Sequence, residues 1–202
     1  MNEGVWERIE RSRERWDVLR HPFYRRWSAG ELTAEELARY SGQYRHAVEA
    51  LAELSDGATE RLPQHPELTS HAAEEHEHVE LWDGFVGACG GDTAAPATPE
   101  TAECVRAWTA SGDAAELLAR LYAIESAQPA ISETKRAGLL ERYGFADDAG
   151  TAYFRVHSSR DHEHAAEARA LIGTVADTGH EDRVVAAAEA AFRANWRLLD
   201  GV

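Results

Sequence analysis

One sustained helical period constrains this chain more than any other feature. Leu37, Tyr40, Tyr44, Val48, Leu51 and Leu54 recur at the three- and four-residue spacing of a single helix face. Thr33-x-x-Glu36 stands just before them, the pattern of a capping box in which two side chains satisfy each other's backbone N–H groups. A helix opened there runs to about Arg61, where Pro63 and Pro66 break it. Its apolar stripe has to be buried against other helices, because strand signals are nearly absent.

The remaining segments supply those partners. A first helix is expected from Val5 to about Leu19, and a short second one behind Pro22, ending at Gly30. After the Thr33 helix comes one from about Glu67 to Cys89, stopped by Gly90-Gly91 and followed by a surface loop to Pro99. Thr101 to Ser111 is shorter. Ala114 to Tyr143 reads as one long helix kinked at Pro129, and the last two run from about Ala149 to Val175 and Glu181 to Leu199. The expected architecture is a single-domain, all-α bundle of about seven helices over residues 1–202.

Composition narrows the class of function. A formal charge of −15 argues against a nucleic-acid partner, which needs a basic face. No run approaches the length of a membrane span and no apolar segment follows a basic start, so the expectation is a soluble, membrane-free protein without a signal peptide. Cys89 and Cys104 form no close pair, which fits a reducing cytoplasm. Nearly all the basic residues are arginine; Lys135 is the one lysine.

Chemistry concentrates in His157-Ser-Ser-Arg-Asp161-His-Glu-His164. His157, Asp161 and His164 are spaced i, i+4 and i+7, which places them in one narrow stripe of a helix. The plain alternative is a solvated face in a His-rich, acidic protein. Partners exist elsewhere. Glu75 and His78 are i, i+3 neighbours, and Glu74 and His78 are i, i+4; either pair can chelate a metal. The same segment holds His71, His76 and Glu77, which leaves the choice of glutamate open. Glu125 lies among apolar residues, where a lone carboxylate is costly unless it is paired or metal-bound. Together Glu75, His78, Glu125, His157, Asp161 and His164 offer three carboxylates and three imidazoles from three helices. Mixed N/O ligation without thiolate suits iron or manganese.

Several longer stretches resemble the haem-oxygenase-like di-iron oxidases. They are His21-Pro-Phe-Tyr-Arg-Arg-Trp, Gly30-Glu-Leu-Thr, Tyr40-x-x-Gln-Tyr44, His78-Val-Glu-Leu-Trp82, Tyr122-x-x-Glu125-x-x-x-Pro129 and Lys135-x-x-Gly138-Leu139. The His157/Asp161/His164 triplet and the closing Trp196-Arg-Leu-Leu-Asp-Gly-Val202 belong with them. Within that superfamily the nearest branch resembles the CADD-like para-aminobenzoate synthases. The resemblance implies that Glu75 (or Glu74), His78, Glu125, His157, Asp161 and His164 bind two iron ions, with manganese possible in one position, and that O2 is a co-substrate.

It also implies an external electron donor and a small-molecule substrate, with a homodimer possible. The leading expectation is oxidation of an external metabolite bearing an amine, amino acid or carboxylate. Tyr24, Tyr40 and Lys135 match positions that the aminobenzoate branch uses, where the protein's own side chains are thought to supply the product. Self-sacrificing aminobenzoate synthesis is therefore the alternative, and a non-catalytic metal-binding protein is the alternative of another class. Two departures stand out. Many relatives separate the first glutamate and histidine by more than the two residues between Glu75 and His78. Ile124 replaces a tyrosine beside the glutamate ligand.

Overall fold

A computed structural model of the protein describes residues 3–176 and 179–202. Among them are nine α-helices, two short 3-10 turns and no strand. In chain order the helices are α1 (Glu3–Arg15), α2 (Pro22–Ala29), α3 (Ala34–Arg61), α4 (Pro66–Ala88), α5 (Pro99–Trp108), α6 (Ala114–Glu125), α7 (Gln128–Arg142), α8 (Ala152–Val175) and α9 (Glu181–Asp200).

Most helix starts follow from local chemistry. Both arms of the Thr33/Glu36 capping box are formed, and Asp113 with Glu116 builds a second one at the start of α6. Pro22, Pro66 and Pro99 sit in the first turns of α2, α4 and α5, where a missing N–H costs nothing. The first helix stops at Arg15 rather than running to Leu19. Asp17 accepts from the Leu19 N–H at 3.1 Å and opens a 3-10 turn instead.

The all-α bundle is as expected, with one break in it. Ala114 to Tyr143 is two helices, not one with a kink. An unbroken helix would bring the Pro129 ring against the Glu125 carbonyl and leave that carbonyl without its N–H donor. The chain avoids this by ending α6 at Glu125 and restarting α7 at Gln128, with Pro129 in its first turn. The proline thereby places Glu125 at a helix end in the core.

α3 and α4 pack as a hairpin. α8 lies against α4, α6 and α7, while α9 lies against α1, α5 and α6. His21 joins the two ends of the chain: its Nδ1 accepts from the Phe23 N–H at 3.1 Å, its Nε2 lies 3.1 Å from Asp200, and its ring packs edge-on against Trp196. Two of the sequence stretches singled out above therefore meet for a structural reason. No helix among the described residues is long and apolar enough to cross a membrane.

α7 is held close to α2 by a missing side chain. A Cβ on Gly138 would lie 2.5 Å from Trp27 Nε1, and the Trp27 indole is fully buried and donates to the Lys135 carbonyl at 3.2 Å. Gly→Ala inside a helix ordinarily gains about 0.5–1 kcal/mol. Gly138→Ala is expected instead to lose about 1–3 kcal/mol through overpacking. Gly173→Ala in α8, where nothing lies within 4 Å of the new Cβ, should show the ordinary gain. Urea unfolding of the pair checks this; equal gains in both would show that the Trp27 contact gives way freely.

Candidate metal centre

Seven ionisable side chains from three helices converge in the core. α4 contributes His71, Glu75 and His78, α8 contributes His157, Asp161 and His164, and α6 contributes Glu125. None is more than 7% exposed. All six residues read from the sequence, with Glu75 as the glutamate, are brought together. Glu74, the alternative, is half-buried at the edge, 3.6 Å from His164 Nε2 and 3.9 Å from Arg160.

His71 was missed. Its spacing to Glu75 and His78 is i, i+4, i+7, the same as that of His157, Asp161 and His164. The signal was therefore present: α4 repeats the imidazole–carboxylate–imidazole stripe of α8. The two stripes run in opposite directions. The His71 and His164 rings are 4.1 Å apart at one end, and the His78 and His157 rings 4.4 Å apart at the other.

Donor atoms fall into two groups that share Glu75. Atoms of His71, Glu75 and His164 lie within 4.8 Å of one another, as do those of Glu75, His78 and His157. Glu125 Oε1 is 2.8 Å from His71 Nε2, near enough for an ion pair but not aligned as a hydrogen bond. His157 Nδ1 donates to Asp161 at 2.8 Å, which leaves His157 Nε2 unpartnered. Glu75 Oε2, both Glu125 oxygens and His164 Nδ1 are buried without a hydrogen bond as well. Buried polar atoms rarely stay unmatched, and so many in one place suit a cation.

The electrostatics agree. Burial opposes charge on His71, but the adjacent Glu125 carboxylate outweighs it and raises the imidazole pKa. Glu125 itself is pushed up by burial. Burial would raise the Glu75 pKa, but His71, 3.6 Å away, and the hydrogen bond with His78 outweigh it and hold the carboxyl low. His164 is lowered to about 4 by burial and then by the charge on His71. A proton is favoured on His71 by the carboxylate beside it, and divalent cations can take over that balancing charge.

Beside the cluster, packed aromatic rings enclose Lys135 and form an aromatic chamber around it. Lys135 is fully buried, and its Nζ has no hydrogen-bond partner. It lies 4.3 Å from the Tyr44 ring centre, 5.3 Å from Tyr40, 5.8 Å from Tyr24 and 5.2 Å from Trp82. The Tyr24 and Tyr40 hydroxyls are 3.3 Å apart. Burial drives the Lys135 pKa well below that of an ordinary lysine, toward a neutral amine. Tyr153 joins the cluster to the chamber: its ring packs 4.0 Å from His157 and 4.8 Å from Trp82. Tyr44 and Tyr153 had not been singled out as site residues. Ile124 lines neither of them; it faces an apolar cavity of about 250 Å³ that Trp16, Ile131 and Asn195 also line.

The chain matches the family model described as an iron-containing redox enzyme over residues 53–196. That span holds all seven clustered residues and Lys135. The chain is 30% identical over 197 residues to a 4-aminobenzoate synthase of Chlamydia muridarum, covering 91% of this chain and 83% of that one. It is 32% identical over 214 residues to a 4-aminobenzoate synthase of Nitrosomonas europaea, covering 92% and 85%. Two solved structures show the same fold. One is a haem-oxygenase-like domain of unknown function from Shewanella denitrificans, with TM-score 0.79 at 20% identity over 100% of this chain and 91% of that one. The other is a TenA homologue from Pseudomonas syringae, with TM-score 0.79 at 18% identity over 98% and 90%. With most of its length inside the family model and aminobenzoate synthases among its relatives, the chain belongs to the haem-oxygenase-like family of iron-containing redox enzymes.

Proposed function

We propose that the protein is an O2-dependent oxidase with a dinuclear iron centre, manganese being acceptable in one position, and that it forms aminobenzoate from its own side chains. The observation that carries the second half is the Lys135 chamber. An unpartnered amine whose charge is disfavoured by burial, with Tyr24, Tyr40 and Tyr44 within 6 Å of it, has little value for stability and much for reactivity. The 4-aminobenzoate synthases among the chain's relatives support this reading.

His71, Glu75 and His164, with Glu125 beside them, would hold one metal; Glu75, His78 and His157 would hold the other. Asp161 orients His157 through Nδ1 and keeps Nε2 toward the centre, the carboxylate–histidine arrangement common at metal sites. Iron held there would supply the reduction of O2 and the oxidising power drawn from it. The chain's own residues do the rest. Tyr153 and Trp82 fill the space between centre and chamber and exclude water. Tyr24 and Tyr40 hold each other's hydroxyls in place, and Lys135 presents an amine free to donate its nitrogen.

A second reading has its own observation. The cavity at Ile124 is large enough for a small metabolite and partly apolar, and Ile124 directly precedes Glu125 in the chain, so an external substrate held there is the alternative to the protein's own side chains. An external electron donor serves either reading.

Metal-free protein should take up about two Fe(II) per chain under anaerobic conditions, as two-metal sites do. His71→Ala and His157→Ala should each lose about one. Full occupancy in His71→Ala would remove that residue from the centre.

Lys135→Met separates the two readings. Replacing an unpartnered buried amine by a thioether of similar shape should stabilise the fold by about 1–3 kcal/mol near neutral pH. The folded-state pKa of Lys135 is depressed, so the wild type gains stability as pH rises through it toward the unfolded value of about 10.4, and the gap to the variant narrows. Wild-type protein given Fe(II), reductant and O2 should release aminobenzoate without added substrate and lose tyrosine side-chain mass. Lys135→Met should do neither. Product formed by that variant from an added metabolite would establish the external-substrate reading.

A further inference from the structure

The two ligand helices carry a second matched pattern, just outside the first. Glu67, Ser70, His71 and Glu74 share one face of α4; Arg160, Glu163, His164 and Glu167 share the facing side of α8. Between them opens a cleft of about 210 Å³ lined by these eight residues. Four carboxylates face one guanidinium there. Glu67 is engaged by His65 at 2.8 Å, and Glu74 sits between Arg160 and His164. Glu163 and Glu167 are exposed and have no ion-pair partner among the described residues.

Acidic side chains on a surface are ordinary, and alone they would signify nothing. Here the cleft is also lined by a histidine that is only 7% exposed and whose Nδ1 has no hydrogen-bond partner. His164 belongs to the nearer donor group of the centre, and His71, the other imidazole lining the cleft, belongs to the same group. At the far donor group Tyr153 lies against His157 and Trp82 packs behind it. The cleft thus reaches the cluster from the end that aromatic rings do not cover.

We propose that this cleft is the loading port for the divalent cations. Glu163 and Glu167 attract the hydrated ion, and Glu74 takes it over as water is shed. His71 and His164 then receive it as the first imidazole ligands. Glu75, common to both donor groups, passes an ion on to His78 and His157. Glu74 is therefore a transfer residue and not a permanent ligand. Carboxylates at the mouth raise the local cation concentration and the capture rate, an effect that salt screens.

This inference rests on the reading of the centre as dinuclear. Mixing metal-free, full-length protein with Mn(II) and following loss of the aqueous Mn(II) electron paramagnetic resonance signal measures uptake directly, without reference to activity. The double variant Glu163→Gln/Glu167→Gln should take up Mn(II) on the order of tenfold more slowly at low ionic strength and reach the same final occupancy. The difference should vanish near 1 M salt, where the screening length is about 3 Å. Glu7→Gln/Glu14→Gln on α1 removes the same charge elsewhere and should leave the rate near wild type. Equal rates in the two double variants would overturn the port while leaving the centre intact. Failure of the wild type to bind Mn(II) or Fe(II) at all would overturn the centre and the port with it. Glu74→Gln should also slow uptake at full final occupancy; loss of a bound ion in that variant would make Glu74 a ligand and refute its role in transfer.

Discussion

Burying three carboxylates and four imidazoles in an all-helical core is the constraint from which the other features of this protein follow. A lone carboxylate there costs several kcal/mol, and opposite charge or hydrogen-bond donors close to it relieve the cost. Two antiparallel helices meet that condition economically. Because α4 and α8 carry the same imidazole–carboxylate–imidazole spacing in opposite directions, each end of the pair receives one histidine from each helix, with Glu75 and Asp161 between. The pairing is close to two-fold. Glu125 breaks that symmetry, at the end of a helix that Pro129 prevents from continuing.

Much of the fold was legible because its punctuation is local. A capping box, a first-turn proline at Pro22, the break at Pro63 and Pro66 and the glycines behind α2 and α4 act on their neighbours alone, whatever the rest of the chain does. Pro129 was legible as a disturbance but not as a break. Whether a proline bends a helix or ends it depends on what can satisfy the freed carbonyl, which is decided in three dimensions. His71 shows a different limit. Its spacing was available, yet in a segment so rich in histidine and glutamate the period was masked by His76, Glu77 and Glu74. Only the opposing helix distinguishes His71 from them. Ile124 is a third case: it is next to Glu125 in sequence, but neighbouring helix residues point about 100° apart, and it faces a different cavity.

The aromatic chamber and the metal cluster make opposite demands on the core. The cluster gathers charge that must be neutralised, while the chamber disfavours charge on an amine. Their separation by Tyr153 and Trp82 lets two such environments exist side by side. It also means that a substitution at either ring changes both surroundings together.

Lys135 is the chain's one lysine, and it is wholly buried. The outer surface therefore carries its positive charge on arginine and histidine and offers no lysine ε-amino group. Acetylation, ubiquitin-type conjugation and glycation at lysine have no target on the folded molecule. Each would acquire one the moment the core around Lys135 came open, so a lysine-directed label would mark unfolded copies that still hold the amine and pass over intact ones.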